Sequence, residues 1–291
     1  MKYLTLLFLS TIIFFACGDP GATTSDPVVA STPTDAITER VAAAEKRLAG
    51  SEGGQLVASA IEAHGGLDAW YRQSPLYYHF NYVPTDGKGK VRNSFILNDY
   101  RGARAVHQKA GDLDVTYGFD GTDAWQNPAD SDPGVSPRFW SLTPYYFVGL
   151  PFVLADEGIN FEVLENAELD GADLQRVKVT YEAGTGDADD DYYILHLDPT
   201  THELVALNYI VSYRGFFEEG KSLPEKLMRL KGKTRVDGIL LPTGYATSWS
   251  SDPDVNITDI TIADYEFRPD TEDAAFDKPA TAKVVNDLPT E

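Results

Sequence analysis

Cysteine occurs once in these 291 residues, at position 17, so no disulfide can form within the chain. Positive charge is scarce. Lys and Arg number 24 against 45 Asp and Glu, which leaves a net charge of −21. A surface this acidic repels phosphate backbones, which excludes nucleic acid as a partner. An unbroken apolar run of membrane-spanning length, about twenty residues, is missing as well. The greasiest stretch, residues 137–158, is interrupted at Pro144, Gly149 and Pro151. There are only five histidines. No G-x-S-x-G elbow, phosphate-binding Walker loop or dinucleotide fingerprint is present. No linker or internal repeat divides the sequence, which points to one folded domain.

What the chain does have is that greasy stretch, with Phe139, Trp140, Tyr145, Tyr146, Phe147 and Phe152. A water-soluble body must wrap something around it, and both flanks read as short β-rich runs. Leu76, Tyr78, Phe80 and Tyr82 alternate with Tyr77, His79 and Asn81 at the period of a strand. Further strands are expected at 91–98, 102–108 and 113–119, and in a short run ending at Trp125. After the greasy stretch they resume at 161–165, 174–182, 192–198, 204–213, 227–236, 239–250 and 257–267, with Asp237-Gly238 as a tight turn. Ahead of them, Ile37, Val41, Ala44 and Leu48 follow helical spacing, and Ser51 is placed to cap a second helix ending at His64-Gly65. The fold class is α+β, mostly β: a strongly curved antiparallel sheet of about 11–12 strands with an N-terminal helix and an inserted helical plug.

Chemistry is harder to find. His202-Glu203-Leu204-Val205-Ala206 starts like a zinc-protease helix, but Ala206 stands where the second histidine belongs and the context is a strand. Asp187, Asp189 and Asp191 match the opening of a calcium loop, yet Tyr192 occupies the position that needs glycine, so a solvated hairpin tip is expected. His79, His107 and His196 fall on separate strands. His64 reads as a helix C-terminal histidine. No catalytic residue, metal or cofactor is assigned. The inward-facing aromatic candidates are Tyr78, Phe80, Phe95, Tyr117, Trp125, Phe139 and Trp140. They either fill one another's space as core or surround an apolar ligand.

The N-terminus carries its own signal. Met1-Lys2 is a short basic start, Leu4 to Phe15 a compact apolar run, and Ala16-Cys17 its close. Phe14-Phe15-Ala16-Cys17 resembles a bacterial lipobox, with Phe14 in place of the usual leucine. That resemblance implies cleavage before Cys17 and acylation of its thiol, so membrane attachment is expected. The expected divisions are 1–16 signal peptide, 17–36 anchor and tether, 37–279 a single half-barrel domain and 280–291 a polar tail.

Together, the lipobox, the N-terminal helix, the curved sheet and the helical plug resemble the LolA/LolB-like lipoprotein-carrier superfamily. The segment Val236 to Pro242, with the Ala275-Phe276-Asp277 tail, is similar to the ends of those proteins. His64-Gly65-Gly66 with Trp70 resembles the opening of bacterial envelope lipoproteins. The resemblance implies a half-barrel whose apolar cavity holds lipid or lipoprotein acyl chains, on the periplasmic side of the outer membrane or at the cell surface. Two other readings stay open on the residues alone: a structural or assembly lipoprotein with a filled core, and a carboxylate-based hydrolase of envelope polymers.

Overall fold

The computed structural model describes residues 33–289, so Cys17 and the expected signal peptide lie outside the described residues. Three helices come first: α1 (Pro33–Leu48), α2 (Glu52–His64) and α3 (Leu67–Arg72). Helix α1 takes in residues 33–36, which the sequence reading gave to the tether. Proline is tolerated in a first helical turn because its missing N–H has no partner to lose there. Ser51 caps α2 by accepting the Gly54 N–H at 3.0 Å, and Gly65 closes it with φ +130°. His64 is buried, and its Nδ1 lies 2.7 Å from the Ala60 carbonyl; burial lowers its pKa.

Five strands follow: β1 (Leu76–Pro84), β2 (Arg92–Asp99), β3 (Arg104–Lys109), β4 (Thr116–Phe119) and β5 (Ala124–Asn127). The plug comes next. Its pieces are α4 (Pro137–Trp140), α5 (Thr143–Gly149) and a 3-10 turn over Phe152–Ala155, with the expected break at Pro151. Then come β6 (Ile159–Leu169), β7 (Ala172–Tyr181), β8 (Tyr193–Leu197), β9 (Leu204–Tyr209), β10 (Lys226–Val236), β11 (Ile239–Trp249) and β12 (Asp252–Phe267). A two-residue strand, β13 (Lys283–Val284), lies in the tail that was expected to be outside the domain, and pairs with β5. All belong to one antiparallel sheet of thirteen strands that does not close, in the order β13-β5-β4-β3-β2-β1-β12-β11-β10-β9-β8-β7-β6.

That order dictates where the plug must run. Strands β5 and β6 are consecutive in sequence but lie near opposite edges, eleven strand spacings apart. At about 4.8 Å per spacing this is roughly 50 Å along the sheet. The connection crosses the inner face, where its apolar side chains replace water against the strands. The core is continuous from α2 (Val57, Ile61) through the plug (Phe147, Phe152, Leu154) to the sheet (Tyr78, Leu195, Leu207, Tyr245).

The two ends of the half-barrel differ. At one end the N-terminal helices sit on the β10–β11 turn: Gln73 donates to the Asp237 carbonyl at 3.4 Å, and Arg235 donates to the Ala63 carbonyl at 3.2 Å. Trp70 stacks on Phe152, ring centres 4.4 Å apart, and ties those helices to the plug. The other end holds the last residues of β1, β7 and β9 and the first of β2, β8 and β10. Among the described residues no helix is long and apolar enough to cross a membrane.

Candidate functional site: an aromatic cavity at the open end

The plug leaves a cavity of about 600 Å³ at the end of the sheet where β2, β8 and β10 begin. This lies within the range of small-molecule sites, ~300–1,000 Å³. Tyr193 and Tyr209 are cross-strand partners of β8 and β9 and stack at 6.0 Å. From the plug, Tyr146 stacks on Tyr193 at 5.2 Å, and Phe147 meets Tyr209 edge-on at 5.4 Å. Tyr146 and Tyr181 join hydroxyl to hydroxyl. Burial pushes the phenols of Tyr146, Tyr181, Tyr193 and Tyr209 well above their ordinary range, so they are neutral at any physiological pH. These walls are rings with few polar tips, suited to an apolar guest.

Three carboxylates staple the rim. Asp187, from the β7–β8 loop, takes a two-pronged contact from Arg138 of α4, at 2.5 and 2.8 Å. Asp191 accepts the backbone N–H of Ser212 at 2.6 Å and its hydroxyl at 2.7 Å, fastening that loop to the one between β9 and β10. The second bond also explains why β9 stops at Tyr209, short of the expected 213: the chain turns away to meet Asp191. Burial, only partly offset by Ser212, raises the Asp191 carboxyl to about 6. Asp287, in the C-terminal tail, accepts from Tyr213 at 2.5 Å and from Ser136, the residue that caps α4. Phe216 lies at the mouth, half-exposed, against Phe139 and Tyr213, both at 5.0 Å between ring centres. The calcium-loop likeness thus resolves into loop staples: Asp187 and Asp191 bond protein groups. Among the described residues no cluster of His, Cys, Asp and Glu is arranged to hold a metal.

Two cations also face this space. Arg92 lies over the rings of Trp140 (4.4 Å) and Tyr82 (4.9 Å). Lys226 lies over Tyr209 (5.7 Å) and Trp249 (5.4 Å).

Of the seven aromatic candidates from the sequence, Phe139 and Trp140 line the cavity. Tyr78, Phe80 and Tyr117 are at most 1% exposed and are core. Trp125 is equally buried, but it pairs with Gly118 on the face shared by Val106, Leu97 and Tyr77, so its ring lies over Gly118 on the outer side of the sheet, not inward as expected. Tyr78 accepts from Asn98 at 2.7 Å, and Tyr117 stacks on buried His107 at 4.6 Å. Phe95, expected to face inward, lies on the outer face beside Tyr77 and His79, ring centres 6.3 and 4.7 Å apart. The reason is visible in β2. Its inward side chains are Ser94, Ile96 and Asn98, and the two polar ones bond the phenols of Tyr117 and Tyr78. Apolarity therefore marks the wrong face of this strand. The tyrosines of β7, β8 and β9 were missed, although Tyr181, Tyr193 and Tyr209 each stand at a strand end next to a loop.

No family model matches this sequence, and no curated protein matches it. The likeness is in the fold. A LolA superfamily protein from Nitrosomonas europaea superimposes with a TM-score of 0.51 at 14% identity, covering 78% of this chain and 97% of that one. A DUF1329 family protein from Desulfovibrio piger gives 0.50 at 15% identity, covering 77% and 97%. The chain has a LolA-like fold.

Proposed function

We propose that this chain is a non-enzymatic binding protein of the bacterial envelope that takes an acyl chain, of a lipid or a lipoprotein, into the aromatic end of its half-barrel. The observation that carries this is the cavity of about 600 Å³, walled by tyrosine and phenylalanine and left open by the plug that fills the rest of the inner face. Each methylene moved from water into such a site contributes about 0.8 kcal/mol, so a chain of ordinary length gains enough to be held without any covalent step. Cys17, acylated as the lipobox resemblance implies, holds the protein at the outer membrane. The LolA-like fold supports the same reading.

The test is uptake. Purified protein is expected to carry lipid detectable by native mass spectrometry, or to bind a fluorescent fatty acid. Filling the space should abolish that binding: Val211→Trp, at a lining position that is only partly buried, is expected to weaken uptake at least tenfold with unchanged secondary structure. Clean protein that takes up no fatty acid, or a filled variant that binds as wild type does, would overturn the proposal.

A further inference from the structure

Arg92 and Lys226 face the cavity with no acid beside them. About half of the described cations are met by acids, among them Arg104 by Asp99 at 2.7 Å, Arg229 by Asp170 at 2.8 Å, Lys233 by Glu203 at 2.6 Å and Lys278 by Asp123 at 2.8 Å. With 45 acidic residues to 24 basic ones, such pairing is easy to find. Yet among the described residues neither Arg92 nor Lys226 has a carboxylate within ion-pair distance or a hydrogen-bond acceptor, and their contacts are with aromatic faces. Asp86, on the β1–β2 loop, acts on Lys226 only from a distance.

Both cations line the cavity, and both stand where a strand begins at its open end. Their fields overlap. Burial in the first place, and then the positive charge of Arg92, pull the Lys226 ammonium down to about 8. Two like charges facing one partly dry cavity are costly, and aromatic faces attract cations too weakly to cancel that repulsion. An anion set between them reverses the sign of both effects, because each cation then gains a charge-assisted hydrogen bond. The rings under Arg92 and Lys226 continue into the apolar wall through Trp140 and Tyr209. A ligand that meets the charges and the rings together has an anionic head and a hydrocarbon body.

We infer that the cavity selects anionic amphiphiles, with a carboxylate or phosphate head held between Arg92 and Lys226 and the chain laid against Trp140 and Tyr209. The inference rests on the acyl-binding reading above and adds to it a head-group preference. A cavity that took acyl chains for their apolarity alone would not discriminate between heads.

Three probes of one chain length separate the two: dodecanoate, dodecyl phosphate and dodecanol. They are titrated below their micelle concentrations into the full-length protein and followed by tryptophan fluorescence. At least one anionic probe is expected to bind tenfold or more tightly than dodecanol; tighter binding of the phosphate than of the carboxylate identifies a phosphate head, and the reverse a carboxylate. In the double variant Arg92→Gln/Lys226→Gln the anionic probes should fall to the affinity that the same variant shows for dodecanol. Arg92→Lys should keep the preference, which separates loss of charge from loss of packing. Equal affinity of wild type for all three probes overturns the head-group inference and leaves acyl binding standing, as does a folded double variant that still prefers anions. Failure of all three to bind overturns both. Should the double variant not fold, the wild-type ranking decides alone.

Discussion

Asp191 shows how much one side chain does at the mouth of the cavity. It is a carboxylate with no cation beside it, and Ser212 supplies its two bonds. Burial raises its pKa to about 6 from an ordinary value near 3.8. A raised carboxyl pKa means the folded state holds the proton more tightly than the unfolded chain does. The stabilisation is complete below about pH 4 and is lost as pH rises through 6. Asparagine keeps the acceptor oxygen and has no charge to bury. The melting temperature of Asp191→Asn is therefore expected to match wild type near pH 4 and to exceed it by a few degrees above pH 6, at roughly 2–4 °C per kcal/mol for a body of this size. A difference that stays flat across that range would contradict the assignment. His107 runs the other way. It is fully buried, its Nε2 lies 2.9 Å from the Ser141 carbonyl, and burial lowers its pKa to about 4. The neutral ring it requires is secure above pH 6.5 and is charged as pH falls through 4. In denaturant titrations at fixed pH, replacing His107 with glutamine is expected to flatten the loss of stability between pH 6.5 and 4; an unchanged slope would show that other groups set it.

Among the elements, α2 illustrates packing that overrides propensity. Gly53 and Gly54 sit in its first turn, where alanine would favour the helix by about 1 kcal/mol each. Neither position has room. A Cβ on Gly54 would lie 2.2 Å from the backbone oxygen of Leu48, and one on Gly53 would lie 2.9 Å from Cβ of Phe161 on β6. The pair lets α2 lie directly on the end of α1 and on the edge strand. Gly54→Ala is expected to lower unfolding free energy by about 1–3 kcal/mol, measured by urea denaturation, because backbone cannot yield as a side chain can. A gain in stability would refute that account. The same contest between local pattern and packing set what the sequence could reveal. Strand β1 was legible because its inward Leu76, Tyr78 and Phe80 are apolar and buried. The plug was legible because proline and glycine cut an apolar run. The inward face of β2 was not, since Ser94 and Asn98 are solvated by phenols that belong to other strands. Nor was the cavity wall: Tyr181, Tyr193 and Tyr209 become neighbours only through pairings that no single strand encodes.

For the whole molecule, the curved sheet, its helical filling and its LolA-like fold followed from patterns spread over two hundred residues, which is why they were readable without any one decisive motif. In the proposed function, attachment rests on one residue, Cys17. Several acyl chains hold a protein firmly, whereas one holds it marginally. Cys17→Ala is therefore expected to move the protein from the membrane to the soluble fraction of the envelope and to abolish labelling by a fatty-acid precursor. A mutant that stays with the membrane and still takes label would refute acylation at this site. Incomplete closure of the sheet has one further consequence. A finished cylinder can change girth only by tearing backbone ladders, whereas this one has a seam between β6 and β13 that no ladder crosses. Side chains clasp it at the mouth instead: Arg138 with Asp187, and Tyr213 with Asp287. Releasing those few contacts would leave every strand pair intact.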